Sequence, residues 1–287
     1  MSNYIPVTKD LLTSVARLRP RERSKLMKVL GAQEYNRCAE DVLYWFDPKQ
    51  HYIPYVYTLD PHVLYTCILC NNETVHAQNK LNVHLALKHN IKSSSSKTQT
   101  RKAYFSTVDP VRPFVLNEYM PPLIRAWEEE PLMVIQKSRD VMATWLIVAL
   151  YTWDSMFHKG RQNIFQSKTA NDTNELVKRA RGIYENHPKF LKDIVKATYG
   201  LGGSKSGELK FPGIDSEILG FPQGPDVIRQ YHPTGIFQDE AAYQEKAKDA
   251  FTAIKPAIQN GGRYTGISSA NPGWFQMVAQ DRLEEIM

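Results

Sequence analysis

The sequence predicts an α/β protein, with a mostly parallel sheet flanked by helices, an N-terminal helical region and a small metal-binding module. Three observations carry this prediction. From residue 110 onward, short apolar strands alternate with longer helical patterns, as a parallel sheet requires when each strand returns through a crossover. Residues 7–46 show helical periodicity. Between these regions lie two cysteines and two histidines at a spacing suited to a tetrahedral metal ion.

Composition sets the bounds. The chain has 287 residues, 42% hydrophobic and 23% charged, which suffices for one large or two modest soluble domains. A net charge of +6 favours a polyanionic partner without proving one. The longest apolar run, WLIVALYTW at 145–153, is far short of the ~18 residues of a membrane span and reads as a buried helix. No membrane partner is expected. MSNYIPVTKD lacks the charged-then-apolar layout of a signal peptide. Three cysteines, an odd number, argue against a disulfide framework and fit a reducing compartment.

Taken in order, TKDLLTSVARL begins the helical region, and RPRERSKLMKVLG restarts it after Pro20, with Gly31 as the expected stop. Arg17, Arg19, Arg21, Arg23, Lys25 and Lys28 form the densest basic run; a solvated helix face and a DNA or partner contact are both open readings. KSSSSKTQTRK at 92–102 reads as a flexible linker. Next come the strand LMVIQ, the helix ATWLIVALYTWDSMF, the strand QNIFQS and the helix NDTNELVKRARGIYENH. Asp172 and Glu175 stand at capping-box spacing in that helix. GELKFPG and SEILGFP read as a hairpin, followed by the strand TGIFQ, the helix AAYQEKAKDAFTAIKPAIQ and the strand RYTGISSA. The expected boundaries are 1–60 helical, 61–91 metal module, 92–109 linker and 110–287 α/β domain.

The metal module reads Cys67-x2-Cys70-x13-His84-x4-His89. A Cys-x2-Cys turn brings two thiolates together, and histidines five apart lie about one helical turn from each other, so the four can hold Zn2+. Leu81 would pack beneath the metal. The spacing between the pairs is one residue longer than in the common two-Cys two-His finger, and His76 is a competing ligand. The alternative is two incidental core cysteines with surface histidines. NKLNVHLALKH has few basic residues at base-reading positions, so a structural clip is favoured over a DNA reader. Cys38 falls outside the spacing and is expected to be buried.

Three stretches carry chemistry. VIQKSRDVMATW at 134–145 runs from an apolar strand through a polar turn into an apolar helix; TGIFQDEAA ends a strand on Asp239-Glu240; RYTGISSANPGWF ends one on Ser268-Ser269-Ala270. In this order and spacing, they resemble the ATPase domain of the phage large terminase, over roughly residues 110–280. The resemblance implies a P-loop NTPase fold of the RecA-like type that uses ATP and Mg2+. Lys137-Ser138-Arg139 matches the family's variant phosphate loop, with Gln136 and Asp140 flanking, Thr144 as the closing hydroxyl and Trp145 opening the helix. By the same resemblance, Thr144 ligates Mg2+ and Asp239 holds it through water, Glu240 polarises the attacking water, and Ser268, Ser269 and Asn271 couple phosphate loss to movement. Arg139 would stabilise the transition state in cis, with Arg229 or Arg263 reaching a neighbouring subunit as the alternative. Implied partners are double-stranded viral DNA, the portal protein of the procapsid and the small terminase subunit. The chain would form a ring on the portal, be monomeric in solution, and act in the host-cell cytoplasm.

The departures are specific. Met142 stands where most relatives keep glycine, and Gln238 is polar where the family prefers an apolar residue. FVLNEYMPPLIRAW occupies the place of the adenine-contacting segment without its usual glutamine. Met142-Ala143 favours a rival reading, a zinc-containing DNA-binding or scaffold protein whose ATPase fold is degenerate. No acidic cluster on strands follows Ser269 through QDRLEEIM, so a nuclease is not expected within this sequence.

Overall fold

The computed structural model describes residues 7–47, 54–59, 64–67, 70, 75–77, 81–89, 105–107, 111–138, 141–202, 205–231 and 233–280. It contains two compact units, Tyr57–Pro113 and a larger one made of Met1–Val56 with Phe114–Met287.

Helix α1 (Lys9–Ala16) is capped by Thr8, whose hydroxyl accepts from Leu11 N–H. Helix α2 (Pro20–Glu40) starts with proline in its first turn, where no N–H is needed. It runs straight through Gly31, which therefore does not end it. A Cβ at that glycine would lie 2.9 Å from the Phe190 carbonyl oxygen, so the residue serves close backbone approach instead. Asp41 caps α3 (Val42–Phe46) by accepting from Leu43 and Tyr44 N–H. Cys38 is fully buried.

The smaller unit contains β1 (Tyr57–Leu59), β2 (Leu64–Cys67), β3 (Val75–Ala77), helix α4 (Leu81–His89), β4 (Phe105–Thr107) and β5 (Val111–Pro113). Strands β1 and β5 pair antiparallel, and β2 is the middle strand of an antiparallel sheet with β3 and β4. The part of the expected 92–109 linker at Phe105–Thr107 is thus a strand, paired to Cys67–Tyr65. The KSSSSKTQTRK segment lies outside the described residues.

The larger unit continues with α5 (Met120–Glu129), β6 (Leu132–Gln136), α6 (Ala143–Phe157), β7 (Gln162–Ser167), α7 (Ala170–Glu185), α8 (Lys189–Ile194), β8 (Thr198–Gly202), β9 (Lys205–Phe211), β10 (Ser216–Pro222), α9 (Asp226–Tyr231), β11 (Gly235–Asp239), α10 (Ala247–Gln259), β12 (Arg263–Ser268) and α11 (Trp274–Ala279). Seven strands form one sheet in the order β6-β12-β11-β7-β10-β9-β8. The first five run parallel; β9 and β8 add an antiparallel edge. The expected hairpin is β9–β10, and β8 extends it by a strand that the sequence reading lacked.

Both faces of the sheet are buried, as the apolar strands require. Ile164, Ile236 and Tyr264 face one core, completed by Ile228, Phe251 and Ile254 from α9 and α10. Their strand neighbours Phe165 and Phe237 face the other, built from α2, α3, α5, α6, α7 and α8. This alternation follows the two-residue period of a strand. Helix α6 lies within the second core, with every residue from Leu146 to Tyr151 fully buried, so its apolar face is continuous around the axis. The capping at α7 lies three residues earlier than Asp172 and Glu175 suggest. Thr169 is the N-cap: its Oγ1 accepts from Asp172 N–H and donates to the Asp172 carboxylate at 2.7 Å.

Register places the strand ends in line. Ser268 pairs with Gln136, Asp239 with Ile267, and Gln238 with Gln166. In an open parallel sheet, ligands bind at this carboxyl edge.

Candidate functional site

At the end of β6, Lys137 N–H donates to the Ser268 carbonyl at 2.9 Å, prolonging the pairing with β12. This sets the Lys137 side chain beside the end of β11. Its Nζ lies 2.8 Å from Glu240 Oε1, with the lysine side chain only 10% exposed. The other Glu240 oxygen accepts from Ser268 Oγ at 3.3 Å, Ser269 N–H at 3.4 Å and Ser269 Oγ at 3.3 Å. Thr144, in the first turn of α6, donates from Oγ1 to Asp239 Oδ1 at 3.0 Å. Adjacent carboxylates on one strand end thus take different partners. Asp239 faces the helix hydroxyl, and Glu240 faces the lysine and serines.

Backbone conformation makes this division possible. Glu240 has φ 52° and ψ 44°, in the left-handed region. Such a conformation is costly for a residue with a side chain, roughly 1–2 kcal/mol, and here it accompanies a Glu240 carboxylate that meets Lys137 and the serines while Asp239 meets Thr144. Met142 adopts φ 59° and ψ 8° at the cap of α6. This is the conformation that glycine takes most easily, so the turn before α6 is tight even with methionine. The Tyr119 hydroxyl donates to the neighbouring Val141 carbonyl, tying the segment before α5 to the same turn.

The two acids differ electrostatically. Burial, reinforced by the neighbouring Glu240 charge, pushes Asp239 from 3.8 up to about 6, against the pull of Lys137, the Thr144 hydroxyl and Arg179. Burial also raises Glu240, but its bond to Lys137 and the Ser269 donors outweigh this and hold it below the ordinary carboxylate value. Near neutral pH, Glu240 is an anion paired with a cation, and Asp239 is close to taking up a proton.

The remaining sequence candidates are distributed around this centre. Asn271 Nδ2 donates to the Ala242 carbonyl at 3.0 Å, joining the loop after β12 to the turn after Glu240. Gln136 and Asn271 line a separate hollow of about 190 Å³. Ser138 is exposed. Trp145 is buried, with the Arg179 guanidinium 5.2 Å from its ring centre. Arg139 and Asp140 lie outside the described residues. Arg263 stands at the opposite end of β12 and donates to the carbonyls of Trp127, Glu130 and Glu128, a local role that leaves it away from the carboxylate edge. Arg229, on α9, is exposed beside Asp226 at 3.8 Å. Gln238 is accounted for by its partners: it donates to Gln166 at 3.0 Å and accepts from the Tyr264 hydroxyl at 2.6 Å, a satisfied buried network beneath the site.

Several groups at the site had no sequence signal. Gln244 Nε2 donates to the Asp239 carbonyl at 2.7 Å. A cleft of about 460 Å³ opens beside Asp239 and Glu240, walled by Ser167, Lys168, Arg179, Tyr243 and Ser269. Ser167 ends β7, Lys168 lies in the turn after it and Arg179 is on α7, and these enter the site only because β7 lies next to β11 in the sheet. Neighbourhood in sequence could not have revealed them.

The donor sets can be tested against metals. Thr144 Oγ1 and Asp239 Oδ1 are oxygen donors of the kind Mg2+ takes, and they lie 3.0 Å apart, hydrogen-bonded to each other. In the smaller unit, Cys70 Sγ lies 3.4 Å from His84 Nε2 and 3.1 Å from His89 Nε2. Tetrahedral zinc would place such atoms about 3.5 Å apart. These three converge as a possible metal site. Cys67 lies at the end of β2; its side chain and that of His76 are outside the described residues.

No helix among the described residues is long and apolar enough to cross a membrane. No protein-family model and no curated protein matches the chain. Solved structures do. A point variant of the large terminase ATPase domain of Thermus phage P74-26 is 14% identical, over 56% of this chain and 68% of that one, with a TM-score of 0.44. The unsubstituted domain is 14% identical over 53% of this chain and 66% of that one, with a TM-score of 0.41. The large terminase of bacteriophage HK97 is 17% identical over 61% of this chain and 38% of that one, with a TM-score of 0.49.

Proposed function

We propose that the larger unit is an ATP hydrolase that drives double-stranded DNA into a viral procapsid. The observation that carries the hydrolase reading is the pairing of Lys137 with Glu240 and Thr144 with Asp239 at one edge of the sheet. A phosphate-binding loop needs a cation, a hydroxyl at a helix N-terminus and a carboxylate at the tip of a nearby strand. All three lie here within hydrogen-bonding reach. Strand β12 stands between β6 and β11, which brings the serines to the catalytic carboxylate.

ATP phosphates would lie against the N–H groups that open α6, where the helix dipole favours anions. Mg2+, when bound, supplies positive charge at the phosphates, and Thr144 with Asp239 would hold it. Lys137 then exchanges the Glu240 carboxylate for phosphate oxygens. Glu240, released from the lysine, orients the attacking water and accepts its proton. Ser268 and Ser269, which bond Glu240 in this state, would register that release and pass it to the turn that Asn271 joins. The tight turn at Met142 supports a working loop over a degenerate one.

The DNA-packaging part rests on the ordered motifs that resemble phage large terminases, and so do the portal and small-subunit partners, the ring on the portal and the host-cell cytoplasm as the site of action. For the smaller unit, Zn2+ held by Cys67, Cys70, His84 and His89 is the proposed structural centre, supported by the convergence of the last three. Steady-state ATP hydrolysis with and without DNA, using Glu240→Gln as the control, tests the function. Turnover by the parent that the variant lacks is expected; no turnover by the parent in either condition would refute the reading.

A further inference from the structure

We propose that Arg179 contacts the terminal phosphate of bound ATP and thereby separates ATP from ADP. The inference rests on the ATP-hydrolase reading and deepens it. It starts from a charge count in the cleft beside Asp239 and Glu240, whose walls carry Asp172, Glu175, Asp239, Glu240, Lys168 and Arg179. Two of the four acids are paired with cations, and the other two bond threonine hydroxyls. Asp172 is held by Thr169, Glu175 by Lys178 at 2.6 Å, and Glu240 by Lys137. Asp239 bonds only neutral Thr144 through its carboxylate among the described residues. Neither cation, Lys168 nor Arg179, has a carboxylate within ion-pair distance among the described residues; of the two, Arg179 has its guanidinium over the Trp145 ring, and its charge reaches Asp239.

An arginine left without an acid in a half-buried cleft is a poor way to stabilise a fold and a good way to await an anion. The cation–π contact with Trp145 restricts the side chain, so less freedom is lost when the fork closes on oxygen acceptors. The ligand must be anionic, must bring a cation acceptable to Asp239, and must enter from the Thr144 side. A magnesium nucleoside triphosphate meets all three conditions. Lys137 and the opening turn of α6 serve the phosphates on the β6 side. Arg179, on the opposite wall with β7 and α7, serves the end of the chain of phosphates that extends past Glu240.

The test uses the full chain and equilibrium binding of fluorescent ATP and ADP with Mg2+, for the parent, Arg179→Gln and Arg179→Lys. The parent should prefer ATP. Loss of a charge-assisted contact should weaken ATP binding by Arg179→Gln on the order of 10- to 100-fold while ADP binding stays within about twofold. Arg179→Lys, which keeps the charge and a long aliphatic stem, should retain part of the preference and guards against a fold defect in the glutamine variant. Equal weakening of ATP and ADP, or an unchanged preference in Arg179→Gln, would overturn the proposal. A parent that binds neither nucleotide would instead remove the hydrolase reading on which it stands.

Discussion

Replacing Asp239 by asparagine should stabilise the empty protein, and the size of the gain should depend on pH. Burial and the adjacent Glu240 raise the Asp239 carboxyl from 3.8 to about 6. A carboxyl with a raised native value binds its proton more tightly when folded than unfolded. Stability from this group is therefore greatest below about pH 4 and is lost as pH rises through about 6. Two pH units correspond to about 3 kcal/mol at pH 8, falling to about half of that at pH 5. The amide carries no such penalty, and its oxygen still accepts from Thr144. For a chain of this size, 1 kcal/mol moves the melting temperature by roughly 2–4 °C, so Asp239→Asn should melt roughly 6–12 °C above the parent at pH 8 and by about half that margin at pH 5. Circular dichroism melts of both proteins at the two pH values measure the effect. With saturating Mg2+ and ATP, the gap should narrow, because only the parent retains the charge that the ion satisfies. A variant less stable than the parent at pH 8, or a margin unchanged between pH 8 and pH 5, would refute this account of Asp239.

Other outcomes follow from the same geometry. Glu240→Gln should bind ATP like the parent and hydrolyse it on the order of 10²-fold more slowly in single turnover, the cost of losing a positioned base; equal rates would displace Glu240 from that role. Lys137→Ala should abolish measurable ATP turnover, and a normal rate would end the variant-loop assignment. Met142→Gly should leave nucleotide binding unchanged or improved, since glycine accepts the left-handed φ of 59° freely; the roughly 1 kcal/mol relieved should largely offset the lost side-chain packing. A large loss of affinity would assign Met142 a contact with nucleotide. Elemental analysis should find about one zinc per chain, and Cys70→Ser should lose it while the seven-stranded sheet melts as in the parent; metal-replete protein without zinc would refute the module.

The sequence by itself determined the local elements and the order of the chemical motifs. Short apolar runs between helical patterns located β6, β7, β11 and β12, and the long apolar run located α6, because these patterns reflect burial whatever the neighbours are. Asp239-Glu240 and Ser268-Ser269 were legible as strand ends for the same reason. Tertiary structure decided what those ends face. Insertion of β12 between β6 and β11 is a pairing of distant segments, and it alone puts the serines on Glu240 and Lys137 beside them. The place of β7 beside β11 likewise brings Arg179 and Ser167 to the cleft, where no local pattern announces them. Gly31 looked like a helix stop, since glycine is a poor helix residue; the approach of the Phe190 backbone, 159 positions away in the chain, explains its presence instead. The left-handed turns at Met142 and Glu240 are the clearest case. Residue type argues against both, and only the packed edge of the sheet, which holds a lysine, a threonine and two serines against the paired acids, makes these conformations the ones the chain adopts.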